Sequence, residues 1–515
     1  MPAPLRTLLI LIDQFRADCV SGALGAHAHL PNLRRLQQQA VTFEQHYSVA
    51  TPCGPSRASI LTGLYAMTHR SVRNGTPLSD ALTNLALELR KGGIEPLLYG
   101  YTDTSRDPRG RPAGDPLLAS YEQVLPGFSE VVEMRLESGS TAWHDHLRAK
   151  GYRFSDRREL YSPVSPDPGR PPRPNDPALY QAPDSDTAFL TDRFLDDMSA
   201  RSRQPWFALL AYIRPHPPFV APAPYNRMHD PARLPRPLHR AGPQREDALH
   251  PFIAHQRTLI PLADTVHGCA GLSDDNPDDV QAVRAVYLGL ASEVDHHVGR
   301  VISFLRESGQ YDDTLLIVTS DHGEMLGDHH MWGKAQIYDA AFRIPLIVRD
   351  PRNPEQFGTR VSAFTESTDI APTILERAAL PVPPGMDGRA LTPFLQGRRP
   401  DRWRDAVMME LDFAEPDAPT RTQRALGLGA NEGGVAILRT GDFKLVHFAA
   451  DLPPLLFDMR NDGAETKDLA GDPRHRDTLL RMTRKLLSHR MKHADHALTG
   501  MRITGRGVYG HTFET

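Results

Sequence analysis

Leu8-Leu9-Ile10-Leu11-Ile12-Asp13-Gln14 is five apolar residues running straight into a carboxylate and an amide. The same shape returns at 314–319 before Ser320-Asp321-His322, and at 206–213 before Arg214-Pro215-His216. It returns again at 96–100 before Tyr101-Thr102-Asp103, and 344–348 is a further apolar run. Continuous apolar runs, as opposed to alternating ones, belong to strands buried on both faces, as in a parallel sheet. Helical stretches lie between them, at 30–40, 57–64, 81–91, 280–308 and 369–378. Strand–helix alternation predicts a doubly wound or three-layer α/β domain. Ligands of such sheets bind beyond the carboxyl ends of the strands. The polar residues that close the runs, from Asp13 to His322, are therefore expected along one sheet edge.

The chain of 515 residues carries a net charge of −4 and no basic stripe, which argues against a nucleic-acid partner. Three cysteines, Cys19, Cys53 and Cys269, are too few and too scattered for a disulfide framework. The apolar run at 7–12 is too short for a secretion signal and lacks a small-residue cleavage site. No run approaches the ~20 residues that span a bilayer. A cytoplasmic protein without a membrane partner is expected.

Residues 1–400 read as one large domain, and a second begins near Asp401. Within 401–498, strands at 405–411, 433–439 and 442–448 suggest a small antiparallel sheet closed by a helix at 475–496. Residues 155–184 and 221–251 are Pro-rich and read as long surface loops of the kind that form lids or subunit contacts. The tail 499–515 has Gly505, Gly507 and Gly510 and no apolar periodicity, so it is expected to be disordered or pinned by another subunit.

Thr51-Pro52-Cys53-Gly54-Pro55-Ser56-Arg57-Ala58-Ser59 reads C-x-P-S-R before an apolar helix. With no histidine beside it in the chain, Cys53 makes little sense as a thiol nucleophile and more sense as a residue to be modified. The plain alternative is a buried cysteine opening an ordinary helix. Pro55 in the first turn places Cys53 at a helix N-terminus, which favours an anion. Arg57 lies one turn on, on the same face. Asp13, Gln14, Asp321 and His322 together offer two carboxylates, an amide oxygen and an imidazole. That mixed O/N set suits a divalent cation, and the imidazole shifts preference from calcium toward manganese, iron or zinc. Singly, Asp13 could cap a helix and His322 could be a packed loop histidine.

The stretches at 11–18 and 53–65, Arg214-Pro215-His216-Pro217-Pro218-Phe219, the run 319–329 and Trp332-Gly333-Lys334 together resemble the sulfatase branch of the alkaline phosphatase superfamily. Phe443-Lys444-Leu445-Val446 and Leu456-Phe457-Asp458 extend the likeness to the family's small second domain. Within that branch the chain looks most like bacterial phosphonate monoester hydrolases that are also phosphodiesterases. The resemblance implies a large, mostly parallel sheet between helix layers, with a small C-terminal α+β domain. It implies one divalent metal, manganese first and calcium, iron or zinc as alternatives, held by Asp13, Gln14, Asp321, His322 and the modified Cys53. It implies that a separate maturation enzyme oxidises Cys53 to formylglycine. One hydroxyl of the hydrated aldehyde then attacks a small anionic ester and the other collapses the intermediate.

The resemblance also implies roles for further residues. Arg57 would hold the formylglycine and neutralise charge, and Lys334 would bind a substrate oxygen or protonate the leaving group. His216 fits a general acid, and Asn74 and Tyr101 would lie around the substrate. His69 matches a sulfatase base, although Arg70 follows it where sulfatases usually have glycine. Asp103 departs from the pattern, because its charge repels an anion unless it pairs with a neighbour such as Arg106. A homotetramer, as a dimer of dimers, is expected by the same likeness. The implied activity is hydrolysis of phosphonate monoesters and phosphodiesters with some action on sulfate esters. Arylsulfatase or choline-sulfatase chemistry is the alternative, and a non-catalytic binding protein on the same fold is a third reading.

Overall fold

Seven residues, Arg-Thr-Leu-Leu-Ile-Leu-Ile, form strand β1 (Arg6–Ile12), and all but the first are buried. The computed structural model describes residues 6–137, 140–201, 205–240, 242–494, 501–505 and 507–510. The strands that follow are β2 (Val41–Tyr47), β3 (Pro96–Gly100), β4 (Ser129–Glu133), β5 (Phe207–Tyr212), β6 (Thr314–Ser320), β7 (Leu346–Arg349) and β8 (Arg360–Glu366). They form one sheet of eight strands in the order β4-β3-β5-β1-β6-β7-β2-β8. β1 sits at its centre, parallel to both β5 and β6.

The apolar run at 344–348 is corrected on direction. β7 pairs antiparallel with both β6 and β2. The chain between β6 and β7 is spent on loops at the carboxyl edge with only a four-residue helix, Asp339–Phe342. It therefore has no crossover helix to carry it back, and a parallel neighbour needs one. Strands β2, β4 and β8 escape a search for continuous runs because they lie at or next to the sheet margins and mix half-buried or exposed residues with buried ones.

The smaller sheet joins β9 (Ala406–Asp412), β10 (Gly434–Thr440), β11 (Phe443–Phe448) and β12 (Leu455–Asp458), all antiparallel, in the order β12-β11-β10-β9. Its residues alternate between two cores. Val407, Met409, Val435, Ile437, Val446 and Phe457 pack toward Tyr338 and Phe342 of the large domain. Met408, Leu438, Leu445 and Leu456 pack instead on Met482 and Leu486 of the long helix at Arg476–Lys492.

The loop at 155–184 is less superficial than its composition suggests, since Leu160, Tyr180 and Asp176 are buried. In the tail, Met501–Thr504 and Gly507–Gly510 pair as a two-stranded hairpin, β13 and β14. The expectation for 499–515 otherwise concerns 499–500, 506 and 511–515, which lie outside the described residues, as does the N-terminal stretch 1–5.

Candidate active site

β1 ends level with its neighbours: Ile12 is paired with Tyr212 on one side and Ser320 on the other. Asp13 and Asp321 therefore leave the sheet side by side, as expected of residues beyond parallel strand ends. Cys53 is the first residue of helix α1 (Cys53–Thr62), every residue of which is buried. The helix stops at Gly63, whose left-handed φ of 68° suits glycine. Asp13, Cys53, Asp321 and His322 are all buried, with ligand atoms within 4.8 Å of one another.

Arg57 is fully buried beneath this group. Its Nε donates to Asp321 Oδ2 and its Nη2 to Asp13 Oδ2, each at 2.9 Å, and its Nη1 donates to the Tyr101 carbonyl at 2.9 Å. The guanidinium also lies 3.8 Å over the Tyr101 ring. These bonds go to the two carboxylates, so the arginine holds the metal-type ligands themselves. Burial and the adjacent Asp321 raise Asp13 to about 6, against the pull of Arg57 and Lys334. Burial would raise Asp321 too, but His322 and Arg57 outweigh it and hold that carboxyl below its usual range. Asp13 Oδ1 is buried and accepts no hydrogen bond. An orphaned carboxylate oxygen beside a second carboxylate and an imidazole is the donor set a divalent cation fits.

His322 Nδ1 donates to the Gly323 carbonyl at 3.0 Å, which leaves the Nε2 lone pair facing the cluster. Burial lowers this histidine to about 4, so it is neutral, as a ligand must be. Nε2 lies 3.2 Å from Cys53 Sγ. The expectation of no histidine beside Cys53 holds along the chain and fails in space. Burial first, and then Asp13, nevertheless push the Cys53 thiol well up, and a protonated thiol is a poor nucleophile.

Gln14 takes a left-handed backbone at φ 63°. The strain is held from both sides, by its N–H on Asp321 Oδ1 at 3.1 Å and by the Tyr287 hydroxyl on its carbonyl at 2.9 Å. Its amide nitrogen donates to Glu324, which leaves Oε1 to accept from Lys334 Nζ at 2.8 Å. Lys334 also interacts electrostatically with the Cys53 side chain. It meets His216 Nε2 at 2.7 Å, while His216 Nδ1 donates to the Pro217 carbonyl at 2.5 Å. Burial, then Lys334, drive His216 well below its ordinary value. Lys334 stays above its own, because Cys53, Asp13 and Asp321 outweigh its burial. The proton of this pair therefore sits on the lysine, and His216 accepts.

The remaining candidates divide. Asn74 Oδ1 accepts the Gly54 N–H at 2.9 Å and so fixes the first turn of α1. Tyr101, expected around the substrate, aims its hydroxyl at Asp13 Oδ2 instead. His69 is tied up: its Nδ1 accepts from Ser71 N at 3.1 Å and its Nε2 donates to Ser59 Oγ at 2.9 Å. Burial lowers it to about 3. Asp103 does not pair with Arg106, which reaches Asp80 at 3.5 Å. It sits in left-handed backbone at φ 52° with Oδ1 buried and unpartnered, and burial raises it to about 7.

Glu324, within the run 319–329, does work that its place in the sequence does not announce. Its carboxylate accepts Leu326 N at 2.9 Å and Gly333 N at 2.7 Å as well as the Gln14 amide, which couples the loop bearing Lys334 to the strand end bearing Gln14. An acid embedded among Gly323, Met325 and Leu326 was the available signal.

The sulfatase family model matches residues 6–380, and the C-terminal model of N-sulphoglucosamine sulphohydrolase matches 327–492. The multifunctional alkaline phosphatase superfamily protein PehA of Trinickia caryophylli is 38% identical, over 97% of this chain and 98% of its own. A choline-sulfatase of Rhizobium meliloti is 26% identical over 91% of this chain and 82% of its own. Among solved structures, the phosphonate monoester hydrolase of Silicibacter pomeroyi superposes with a TM-score of 0.95 at 54% identity, covering 98% of this chain and 99% of its own. That of Agrobacterium radiobacter gives 0.92 at 40% identity, with the same coverage.

Proposed function

The chain belongs to the sulfatase family, and from that premise we propose that it is a metal-dependent hydrolase of phosphonate monoesters and phosphodiesters, with sulfate esters as poorer substrates. What carries the proposal is the end-to-end likeness to two phosphonate monoester hydrolases at 54% and 40% identity, against 26% for the choline-sulfatase.

In this reading Asp13, Gln14, Asp321 and His322 hold one divalent cation, with the Cys53 side chain beside them. When bound, the cation supplies Lewis-acid polarisation and lowers the pKa of an attacking hydroxyl. Manganese is the first candidate, because one imidazole joins three oxygen donors. Conversion of Cys53 to formylglycine by a separate maturation enzyme supplies that hydroxyl in place of an inert thiol. The chain's own residues do the rest. Arg57 keeps the two carboxylates ionised and in place. Glu324 turns the Gln14 amide so that its oxygen faces the site. Lys334 carries a positive charge and a proton at Nζ, which suits it to a substrate oxygen or to the departing one. His216 Nε2 orients that ammonium. The protein is further proposed to be cytoplasmic and homotetrameric. No described helix is long and apolar enough to cross a membrane.

The test is a side-by-side assay of metal-loaded protein on an aryl phosphonate monoester, a bis-aryl phosphodiester and an aryl sulfate. Higher kcat/KM on the two phosphorus esters is expected. A clear preference for the sulfate would replace this reading with the arylsulfatase or choline-sulfatase one. Mass spectrometry of the Cys53 peptide from the same active sample should show the aldehyde or its hydrate.

A further inference from the structure

A cavity of about 730 Å³ lies where the segment around Thr51 and residues 66–76 meet the small sheet and the C-terminal helix. None of Asp13, Gln14, Cys53, Asp321, His322, Lys334 or His216 lines it. Its walls are largely apolar, with Val72, Leu411, Val435 and Leu487 among them. The volume is in the range of small-molecule sites.

Two links tie the cavity to the nucleophile. Thr51 lines it, and two residues of chain span at most about 7 Å, so the Cys53 backbone is within that distance of this wall. Arg73 and Thr76 line it as well, and they flank Asn74, whose side chain holds the Gly54 N–H at 2.9 Å. The Lys334–His216 pair, by contrast, comes from the loops that follow β6 and β5.

Charge inside the cavity is mostly settled. Arg73 bonds Asp412 at 3.2 Å, and Arg490 bonds Glu410. Arg70 differs. It has no side-chain partner among the described residues, and its side chain is exposed. It also occupies the C-cap of the short helix Ala66–His69 in left-handed backbone at φ 59°, where glycine would be unstrained. A strained position that keeps a long, exposed cationic side chain on the wall of an apolar cavity, which Thr51 two residues before Cys53 also lines, calls for an anionic or acceptor group on a ligand.

We infer that this cavity receives the part of the substrate that stays on phosphorus, and that it selects an apolar arm ending in a carboxylate or similar acceptor, met by Arg70. The inference rests on the phosphonate and phosphodiester reading above. In hydrolysis the P–O bond to the leaving group breaks, water supplies the new oxygen, and the departing oxygen takes a proton. The P–C bond of a phosphonate, or the second P–O bond of a diester, stays intact. Attacking and leaving oxygens lie roughly in line, so the retained arm projects sideways, away from Lys334 and His216.

The experiment compares two 4-nitrophenyl esters with the same leaving group, one of methylphosphonate and one of 4-carboxyphenylphosphonate. Wild-type protein should favour the carboxyaryl ester in kcat/KM. Arg70→Gly relieves the backbone and does not threaten the fold, and it should cut that preference about 10–100-fold relative to the methyl ester. Arg70→Lys should keep most of it. Val72→Trp, which fills the cavity, should reduce the preference through KM. If both variants change the two esters equally while their melting temperatures match wild type, the cavity is not an arm pocket. If metal-loaded, matured wild-type protein hydrolyses neither ester, the reading of function itself falls.

Discussion

Arg57 shows how much of the site hangs on one side chain. It is buried between Asp13 and Asp321 and gives each a hydrogen bond at 2.9 Å. Removing it strands two buried carboxylates without compensation, a change that costs about 3–5 kcal/mol. Arg57→Ala should therefore lower the melting temperature most in metal-free protein, and manganese should restore more of it than in wild type. A loss of equal size with and without the ion would mean the arginine acts elsewhere. The i,i+4 spacing from Cys53 told which helix face Arg57 occupies, but not what lies across from that face, so its carboxylate partners were not legible. Tyr101 and Glu324 were opaque for the same reason, since each acts on a residue far away in the chain. A second expectation concerns the Lys334–His216 contact at 2.7 Å. Because the proton resides on the lysine, Lys334→Ala should harm a phenyl ester more than a 4-nitrophenyl ester, by roughly 10²–10⁴-fold for the poorer leaving group. His216→Ala should show the same bias more weakly. Steady-state kinetics on the two esters check this, and equal losses on both would argue for positioning alone.

Among the elements, the centre of the sheet was readable because β1, β5 and β6 are buried on both faces and hence carry continuous apolar runs. The margins were not, because β4 and β8 face two environments. The long helix α2 (Pro277–Glu307) carries a different kind of surprise. Glu293, in its middle, is completely buried with neither carboxylate oxygen well partnered. Burial, then Asp186, raise it to about 8, against the pull of Ser185 and Arg214. A carboxyl whose folded pKa is raised binds its proton more tightly in the folded state. Its contribution is therefore intact below the unfolded value near 4.3 and is lost as pH climbs to about 8, after which it changes no further. Glu293→Gln should thus flatten the fall in stability between those limits and make the protein more stable than wild type at pH 9, by a few kcal/mol. Thermal melts across that pH range measure it. The same cluster supports the His216 loop: Arg214 is held by Asp186 at 3.1 Å and donates to the carbonyls of His216 at 3.1 Å and Pro218 at 2.9 Å.

For the whole molecule, the small sheet is wedged between two cores and closes over the segment that leads into Cys53. Thr51 N even bonds the Glu410 carbonyl at 3.4 Å. The small antiparallel sheet beyond residue 400 was legible from its short strand-like runs. The hairpin at 501–510 was not, because glycines at 505, 507 and 510 mask its strand pattern. Deleting 499–515 should lower the oligomeric state by light scattering while manganese binding persists. A full-length protein that is monomeric at micromolar concentration would overturn the proposed tetramer.

Cys53 is 4% exposed in the folded protein, and this sets a schedule. A maturation enzyme needs to reach the side chain, so the proposed oxidation belongs to the time before the sheet closes. The wall that seals the residue includes His322, which follows it by 269 positions. At roughly 5–20 residues per second, the ribosome needs ~13–54 s to deliver it. Synthesis itself thus opens a window of under a minute, and any chain that collapses early is locked with a thiol. Slowing translation downstream of Cys53 should then raise the fraction of working enzyme without altering one residue of it.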